Sequence, residues 1–542
     1  MAPWGMMVKY PTMRNPTDHA PRFRQDWVWP ALACLGLAFA VYFNSLGGDF
    51  LLDDFLVLFG EKGVENKSLA GLFTGYQWDF YRPAGHVFLW VCHRLFGGLA
   101  WPYHMANLVL FAVICFLNVL LVRKVSGDRA LALLAGLLFA VHPINGMLVN
   151  YITASVIASA VIFAQLSFLF FLSYDGGTGR KGCYPASLLF FVLSLLSHEQ
   201  AIVMPAYCVL YFIFLKPAPW QRAARVCLPY AVIAVAYLAF RFTVFSLTST
   251  THKTIPVFPP VEVYAAALFK LLAWYMEKLA TGHGVLFLWT GDTVRPGSWE
   301  ITTIGAAVMA GLVYWAFAKG RRGVLPFGLM VFLIGLAPMA LASFAYYPFS
   351  EPIIEPHWFY FSSIGFFILA ARGLIALRAR INPKLGLALC AVLAGYLWMH
   401  ALNHNALWRH QEIYCRYWLS LNAKNMTPYY GLGKSLLEKG GYDEAIGYFT
   451  RGLKAVDYYN AFILADLGYA EFLSGNAGRA GKFYEEALKM DPAYSVTHYY
   501  IGLLLLRDND RAGAREAFRQ AMRLYPKSKL YPKYMAIAEA IP

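Results

Sequence analysis

Charge is scarce in this chain. Asp, Glu, Lys and Arg together supply 14% of its 542 residues, whereas 59% are hydrophobic. A water-soluble domain carries about 25% charged residues, so the composition excludes an ordinary soluble globular protein. Paired cysteines are missing too. The eight Cys are scattered, five of them inside apolar runs, and no two form a CxxC pair. This excludes a disulfide or zinc framework and leaves the cysteines as small core residues. Acids are fewer than bases, 31 against 46, for a net charge of +15. The positive residues occupy short segments between apolar runs rather than a continuous stripe, which argues against a nucleic-acid partner. The first 26 residues are basic but have no early apolar core, so no cleaved signal peptide is expected and the first span serves as its own anchor.

What the chain does have is a series of apolar runs of membrane-crossing length, which makes it an all-α polytopic membrane protein in contact with lipid. About eleven spans are expected, near 27–46, 103–122, 130–147, 155–174, 184–198, 200–215, 227–247, 299–318, 324–346, 358–373 and 385–402. With the N-terminus inside, every inner loop is basic. These loops hold Arg123, Lys124 and Arg129; Arg180 and Lys181; Lys216, Arg222 and Arg225; Lys319, Arg321 and Arg322; and Arg372, Arg378, Arg380 and Lys384. Basic loops mark the cytoplasmic side.

The outer side then receives the unusual residues. It holds a long first loop (47–102), whose stretch "FLLDDFLVL" sets Asp53 next to Asp54, and the turns "HPINGMLVNY" and "SHEQ". It also holds a loop of about fifty residues (248–298) and the acidic turn "SEPIIEPHWFY". Ionisable groups at span ends are costly and face a cavity or a partner. Segment 261–280, with Lys270, Glu277 and Lys278 among aromatics, reads either as an interfacial amphipathic helix or as a packed loop helix.

Near residue 403 the composition turns soluble and a repeat begins. Gly433, Gly468 and Gly502 recur at spacings of 35 and 34, and so do Ala445, Ala480 and Ala514. Phe449, Tyr484 and Phe518 keep the same register, as do Gly452, Ala487 and Ala521, with closing Pro492 and Pro526. Four columns in one register form the tetratricopeptide pattern of helix pairs that bury their apolar stripes only against each other. The expected division is a membrane part at 1–402 and a short repeat solenoid at 403–542, on the outer side with the acids.

The order of these motifs resembles that of the transmembrane and tetratricopeptide-repeat-containing O-mannosyltransferases and their bacterial relatives, of the GT-C glycosyltransferase fold. Besides "FLLDDFLVL", the resemblance rests on "YRPAGHVFLW" (81–90), "YHMANLVLF" (103–111), "LLAGLLFAVHPINGMLVNYI" and "LLSHEQAIVMPA". It continues through "YLAFRF" (237–242), "WYMEKLATGHG" and "HWFYFSSIGF" (357–366), and runs from about residue 45 to 530. The chain departs from the family at two places. His198 stands where the family has Lys, and His357 where it has Arg. Each replaces a permanent cation with a group that titrates near neutrality.

The resemblance implies transfer of a sugar from a polyprenyl-phosphate-linked donor to an acceptor hydroxyl, such as a Ser or Thr of a protein, on the outer membrane face. One of Asp53 and Asp54 is the candidate general base, and the resemblance favours the first acid, Asp53. Arg82, Arg241, His198 and His357 are the candidates for holding donor phosphate. Glu199 orients His198 or contacts the sugar, and His142 and Asn145 are candidate cavity-lining residues. No cofactor follows from the residues. A divalent metal ion is left open, because no cluster has zinc spacing and two adjacent Asp do not make a site. The repeats point to a protein or peptide acceptor. The short array places the chain in a bacterial inner membrane, facing the periplasm. The competing reading is a catalytically inactive, membrane-anchored repeat scaffold.

Overall fold

Helices make up nearly all the regular structure in the computed structural model. It describes residues 28–60, 63–74, 81–175, 182–248, 261–289, 299–342, 354–455, 461–528 and 530–540. Among these, the extended pairing is a single antiparallel bridge between Trp289 and Ile354. All eight cysteines are free thiols. The basic pair Arg180 and Lys181 lies outside the described residues.

Six described helices are long and apolar enough to cross a membrane: Trp29–Gly47, Ala100–Ser126, Ile152–Asp175, Trp220–Arg241, Pro356–Arg378 and Pro383–Leu407. A seventh arises if Arg129–Val141 and Pro143–Asn150, which meet at 63°, count as one broken span. Cys183–Leu195, Glu199–Leu215, Ile304–Phe317 and Val324–Met339 are apolar but shorter. The count of about eleven is therefore not established by helix length. The sequence already marks the fifth segment, 184–198, as short and polar-ended, of the kind that stops inside a bundle, and the break at Ser197–His198 leaves two short segments back to back.

The bundle has two chemically distinct ends. At one end lie Arg123 and Lys124, with Lys124 Nζ donating to Ser173 Oγ at 2.8 Å. Close by, the buried Asp175 accepts from Lys216, Arg222 and Tyr211. The helices Val324–Ala342 and Tyr360–Arg378 pack with almost no space between backbones, since a Cβ on Gly365 would lie 2.3 Å from the Gly328 carbonyl oxygen. Small residues at such crossings let membrane helices gain dispersion contacts where lipid supplies no hydrophobic drive.

At the other end the helix Val261–Thr281 covers part of the bundle. Its Lys278 is buried, with Nζ 5.7 Å from the centre of Trp274 and 5.0 Å from that of Trp289. This end of the helix is thus packed against protein, through cation–π contacts.

Beyond Leu407 come Gln411–Leu421 and three helix pairs: Met426–Glu438 with Tyr442–Ala455, Ala461–Leu473 with Ala477–Met490, and Ser495–Arg507 with Arg511–Leu524. The repeated columns read from the sequence are the contacts that close each pair. Ala445, Ala480 and Ala514 are fully buried, as are Phe449 and Phe518, with Tyr484 at 1% exposure. A Cβ on Gly433, Gly468 or Gly502 would come within 2.4–2.6 Å of the ring of Phe449, Tyr484 or Phe518. Burying each ring contributes about 1.5–3 kcal/mol, and only a small residue opposite allows it. Asp466 fastens the units together, accepting from Tyr430 at 2.8 Å, Tyr500 at 2.9 Å and Lys434 at 3.1 Å.

Candidate functional site

The adjacent acids fall at the start of the helix Asp53–Phe59, where a carboxylate is favoured by the helix dipole. They point differently. Asp54 is fully buried, and its two oxygens accept from the backbone N–H of Thr153 at 2.9 Å and of Leu51 at 3.1 Å. Asp53 is partly exposed and receives the Tyr151 hydroxyl at a long 3.4 Å. Burial pushes Asp53 up to about 6, with the neighbouring Glu355 carboxylate adding to the rise and Tyr151 opposing it. Burial likewise pushes Asp54 up to about 7 against its hydrogen bonds.

The "YHMAN" segment builds the wall that meets these acids. His104 Nδ1 lies 3.0 Å from the Val149 carbonyl, and Asn107 Nδ2 donates to the carbonyls of Tyr151 and Ile152, both at 3.1 Å. These bonds hold the turn that offers Tyr151 to Asp53 and the Thr153 N–H to Asp54.

Arg82 caps the helix Pro83–Phe96, with Pro83 in the first turn, where its missing N–H costs nothing. Gly85 lets this helix approach closely, because a Cβ there would sit 2.6 Å from Val156. The Ala84 N–H reaches the Leu196 carbonyl at 3.1 Å, which brings Arg82 to the "SHEQ" turn. There Arg82 makes a two-pronged pair with Glu199, Nε to Oε2 at 2.9 Å and Nη2 to Oε1 at 2.6 Å. Arg241 approaches the same carboxylate at 3.8 Å and donates to Tyr237 at 3.4 Å.

Gln200 joins this turn to the "HWFYF" turn by donating to the Trp358 carbonyl and, at 3.3 Å, to the Gly335 carbonyl. The tie sets the rings of His198 and His357 edge-on, 6.1 Å between centres. His198 Nδ1 accepts from the Gln200 N–H at 3.2 Å. Its Nε2, and Nδ1 of His357, are buried without a hydrogen-bond partner among the described residues. His357 Nε2 pairs with Glu355 at 2.9 Å, and Glu355 in turn neighbours Asp53.

The sequence-predicted residues Asp53, Arg82, His198, Glu199, Arg241 and His357 therefore belong to one polar seam. His142 and Asn145 have a different setting. His142 is buried with Nε2 3.0 Å from the Leu279 carbonyl, and Asn145 donates to the Phe139 carbonyl at 2.6 Å, so both secure the bend after Val141. Glu355, Tyr151 and Tyr275, which donates to the Glu355 carbonyl at 2.6 Å, complete the seam. Sequence reasoning did not single out these three. Only the acidic turn around Glu355 gave a signal. Among the described residues no three His, Cys, Asp or Glu side chains gather as a metal-binding group.

Residues 430–495 match a tetratricopeptide-repeat family model. The chain is similar to the protein O-mannosyl-transferase Tmtc3 of Drosophila melanogaster, 25% identical over 81% of this chain and 56% of that protein. It is similar to TMTC4 of Mus musculus, 23% identical over 78% of this chain and 66% of that one. For TMTC3 of Homo sapiens the identity is 22% over 90% of this chain and 63% of the relative. The chain thus spans between about half and two thirds of the length of these relatives. A solved structure similar to it is the apo oligosaccharyltransferase of Archaeoglobus fulgidus, 13% identical, with a TM-score of 0.45 over 88% of this chain and 72% of that one. These relatives are protein O-mannosyl-transferases, and their similarity extends over 78–90% of this chain.

Proposed function

We propose that the chain is an integral-membrane GT-C glycosyltransferase that moves a sugar, mannose being the first to test, from a polyprenyl-phosphate-linked donor to a Ser or Thr hydroxyl of a protein. The observation that carries this reading is the split between the two acids. Asp54 spends both oxygens on backbone N–H groups, whereas Asp53 is only partly buried, takes one long bond from Tyr151, and has its acid raised to about 6. That value suits a base working near neutrality. In the proposed step Asp53 takes the acceptor hydroxyl proton as the oxygen attacks the anomeric carbon. The bond from that carbon to the phosphate oxygen breaks, and the electron pair leaves with polyprenyl phosphate. Arg82 and Arg241 stabilise the departing phosphate, with the unfilled nitrogens of His198 and His357 as further polar partners. Glu199 holds Arg82 in a fixed fork orientation.

In this reading residues 1–402 form the catalytic part and 403–542 the acceptor-presenting repeats. Both the polar seam and the repeats face the non-cytoplasmic side, the periplasm of a bacterium, opposite the basic loops. Purified protein, polyprenyl-phosphate mannose and a Ser/Thr-containing protein fraction should give acceptor proteins carrying one added hexose. Donor binding without any transfer would reject the enzyme reading in favour of the scaffold. For orientation, a Ser474→Cys variant should react with an impermeant thiol reagent in intact spheroplasts, and protection there would reject the assigned face.

A further inference from the structure

The backbone just before the proposed base is held in a shape its residue does not favour. The Asp54 N–H bonds to the Leu51 carbonyl at 2.9 Å, closing a four-residue turn whose central residues are Leu52 and Asp53. Leu52 has φ 52° and ψ −119°. These are the angles of the first central position of a type II′ turn, a place for glycine. Among the described non-glycine residues only Leu52 and Asn509 have positive φ. Asn tolerates it through its short polar side chain, whereas Leu does not. Such strain persists only where the surroundings hold it.

The surroundings come from the start of the repeat region. Gln411 Oε1 accepts the Leu52 N–H at 3.2 Å, while its Nε2 donates to the Gly431 carbonyl in the first repeat helix at 3.0 Å. The residues before it follow suit. The Arg409 carbonyl accepts the Asp49 N–H at 3.0 Å, and His410 Nδ1 meets the Asp49 carboxylate at 2.8 Å. Residues 409–411 thus lie along residues 49–52, and Gln411 takes the N–H of the strained residue itself, whose side chain packs on the main core. Relaxing Leu52 to negative φ would turn the next residue, Asp53, away from Tyr151.

We propose that Gln411 is a positioning residue: it links the first repeat helix to Leu52 and so keeps the Leu51–Asp54 turn in its strained, base-presenting form. The inference rests on the reading of Asp53 as the base.

The test uses the full-length protein with Gln411→Met, which keeps the length of the side chain and removes both bonds. Hydrogen–deuterium exchange over 49–57, including the Asp54 amide, should speed up about tenfold while helices 461–528 stay protected. The kcat should fall about ten- to a hundredfold, as expected for a small displacement of a reacting group, with the donor KM unchanged. Adding Leu52→Gly, which accepts the turn without strain, should restore kcat to near that of Leu52→Gly alone. If Gln411→Met does not accumulate, Gln411→Asn, one methylene too short to span both partners, should behave alike. Unchanged exchange at 49–57 overturns the proposal, as does an undiminished kcat or a loss equally large in the Leu52→Gly background. If the wild type transfers no sugar, the function reading fails, and the exchange measurement alone still decides whether Gln411 holds the turn.

Discussion

At each end of the bundle one carboxylate faces two cations, yet the two clusters are built differently. Asp175, at the basic end, is sealed from solvent and accepts Arg222 at 2.6 Å, Lys216 at 3.0 Å and the Tyr211 hydroxyl at 3.0 Å. Glu199, at the other end, keeps 27% side-chain exposure and stands beside two histidines with unfilled nitrogens. In the first cluster the carboxylate itself is wholly enclosed, while Lys216 and Arg222 keep exposed side chains. The second keeps part of its carboxylate exposed and two ring nitrogens without a partner among the described residues. Charge type alone does not distinguish a brace from a site; saturation does.

The sharpest way to break this comparison is at Asp53. Asp53→Asn should lower transfer about a hundred- to ten-thousandfold, or roughly 3–5 kcal/mol, with the thermal midpoint nearly unchanged. Near-wild-type transfer by the folded variant would remove the base from the mechanism. Asp54→Asn should do the reverse. Its amide can no longer accept from both Leu51 and Thr153, so stability should drop by about 1–3 kcal/mol, read as a lower midpoint in a melting experiment. An unaltered midpoint would contradict a structural Asp54.

Next come the paired arginines. Arg82→Ala should weaken donor binding about ten- to a hundredfold, the loss of a charge-assisted fork. Arg222→Ala should leave donor affinity alone and reduce stability by roughly 1–2 kcal/mol, because Lys216 still faces Asp175. Equal effects of both variants on donor affinity would erase the distinction between brace and site.

The smallest effect concerns pH. A base must be ionised, so transfer should rise with pH through about 6 in the wild type. Glu355→Gln removes a carboxylate that raises the Asp53 acid, so the midpoint of the kcat/KM profile should move to lower pH. A shift upward or none would separate Glu355 from Asp53. Stability has the opposite slope. Asp54 binds its proton more tightly folded than unfolded, so its contribution is full below about pH 4 and is lost as pH rises through about 7. Melting curves of Asp54→Asn should therefore depend less on pH across that window than those of the wild type.

How far these features were legible depends on whether they follow a period. The repeat columns did, because a helix pair of fixed length returns the same residue to the same crossing, and Gly433 meets Phe449 as the register demands. The polar seam has no period. Arg82 and Glu199 are 117 residues apart and meet because Ala84 docks on Leu196, which no local pattern announces. Only the order of motifs shared with a known family put them on one list. The separate fates of Asp53 and Asp54 were hidden for another reason. Neighbouring residues in the first turn of a helix point in different directions, and which of them meets the Thr153 N–H depends on a turn a hundred residues away. Gln411 was passed over because it lies in neither a span nor a repeat column. Span number is not fixed by the helices, because apolar segments such as Cys183–Leu195 fall short of crossing length, and hydropathy registers composition and not length after folding.

The shared carboxylate of Asp466 bears on how the solenoid comes apart. Stacked repeats whose interfaces are independent melt from their ends, one unit after another. Here Tyr430 belongs to the first pair, Asp466 to the second and Tyr500 to the third, and a single buried anion accepts from both tyrosines. Fraying either outer pair would leave that anion short of a donor in a dry interior, so partial unfolding is penalised from both ends. The three pairs should lose their structure in one steep transition, and the array should behave mechanically as a rigid block rather than as a spring.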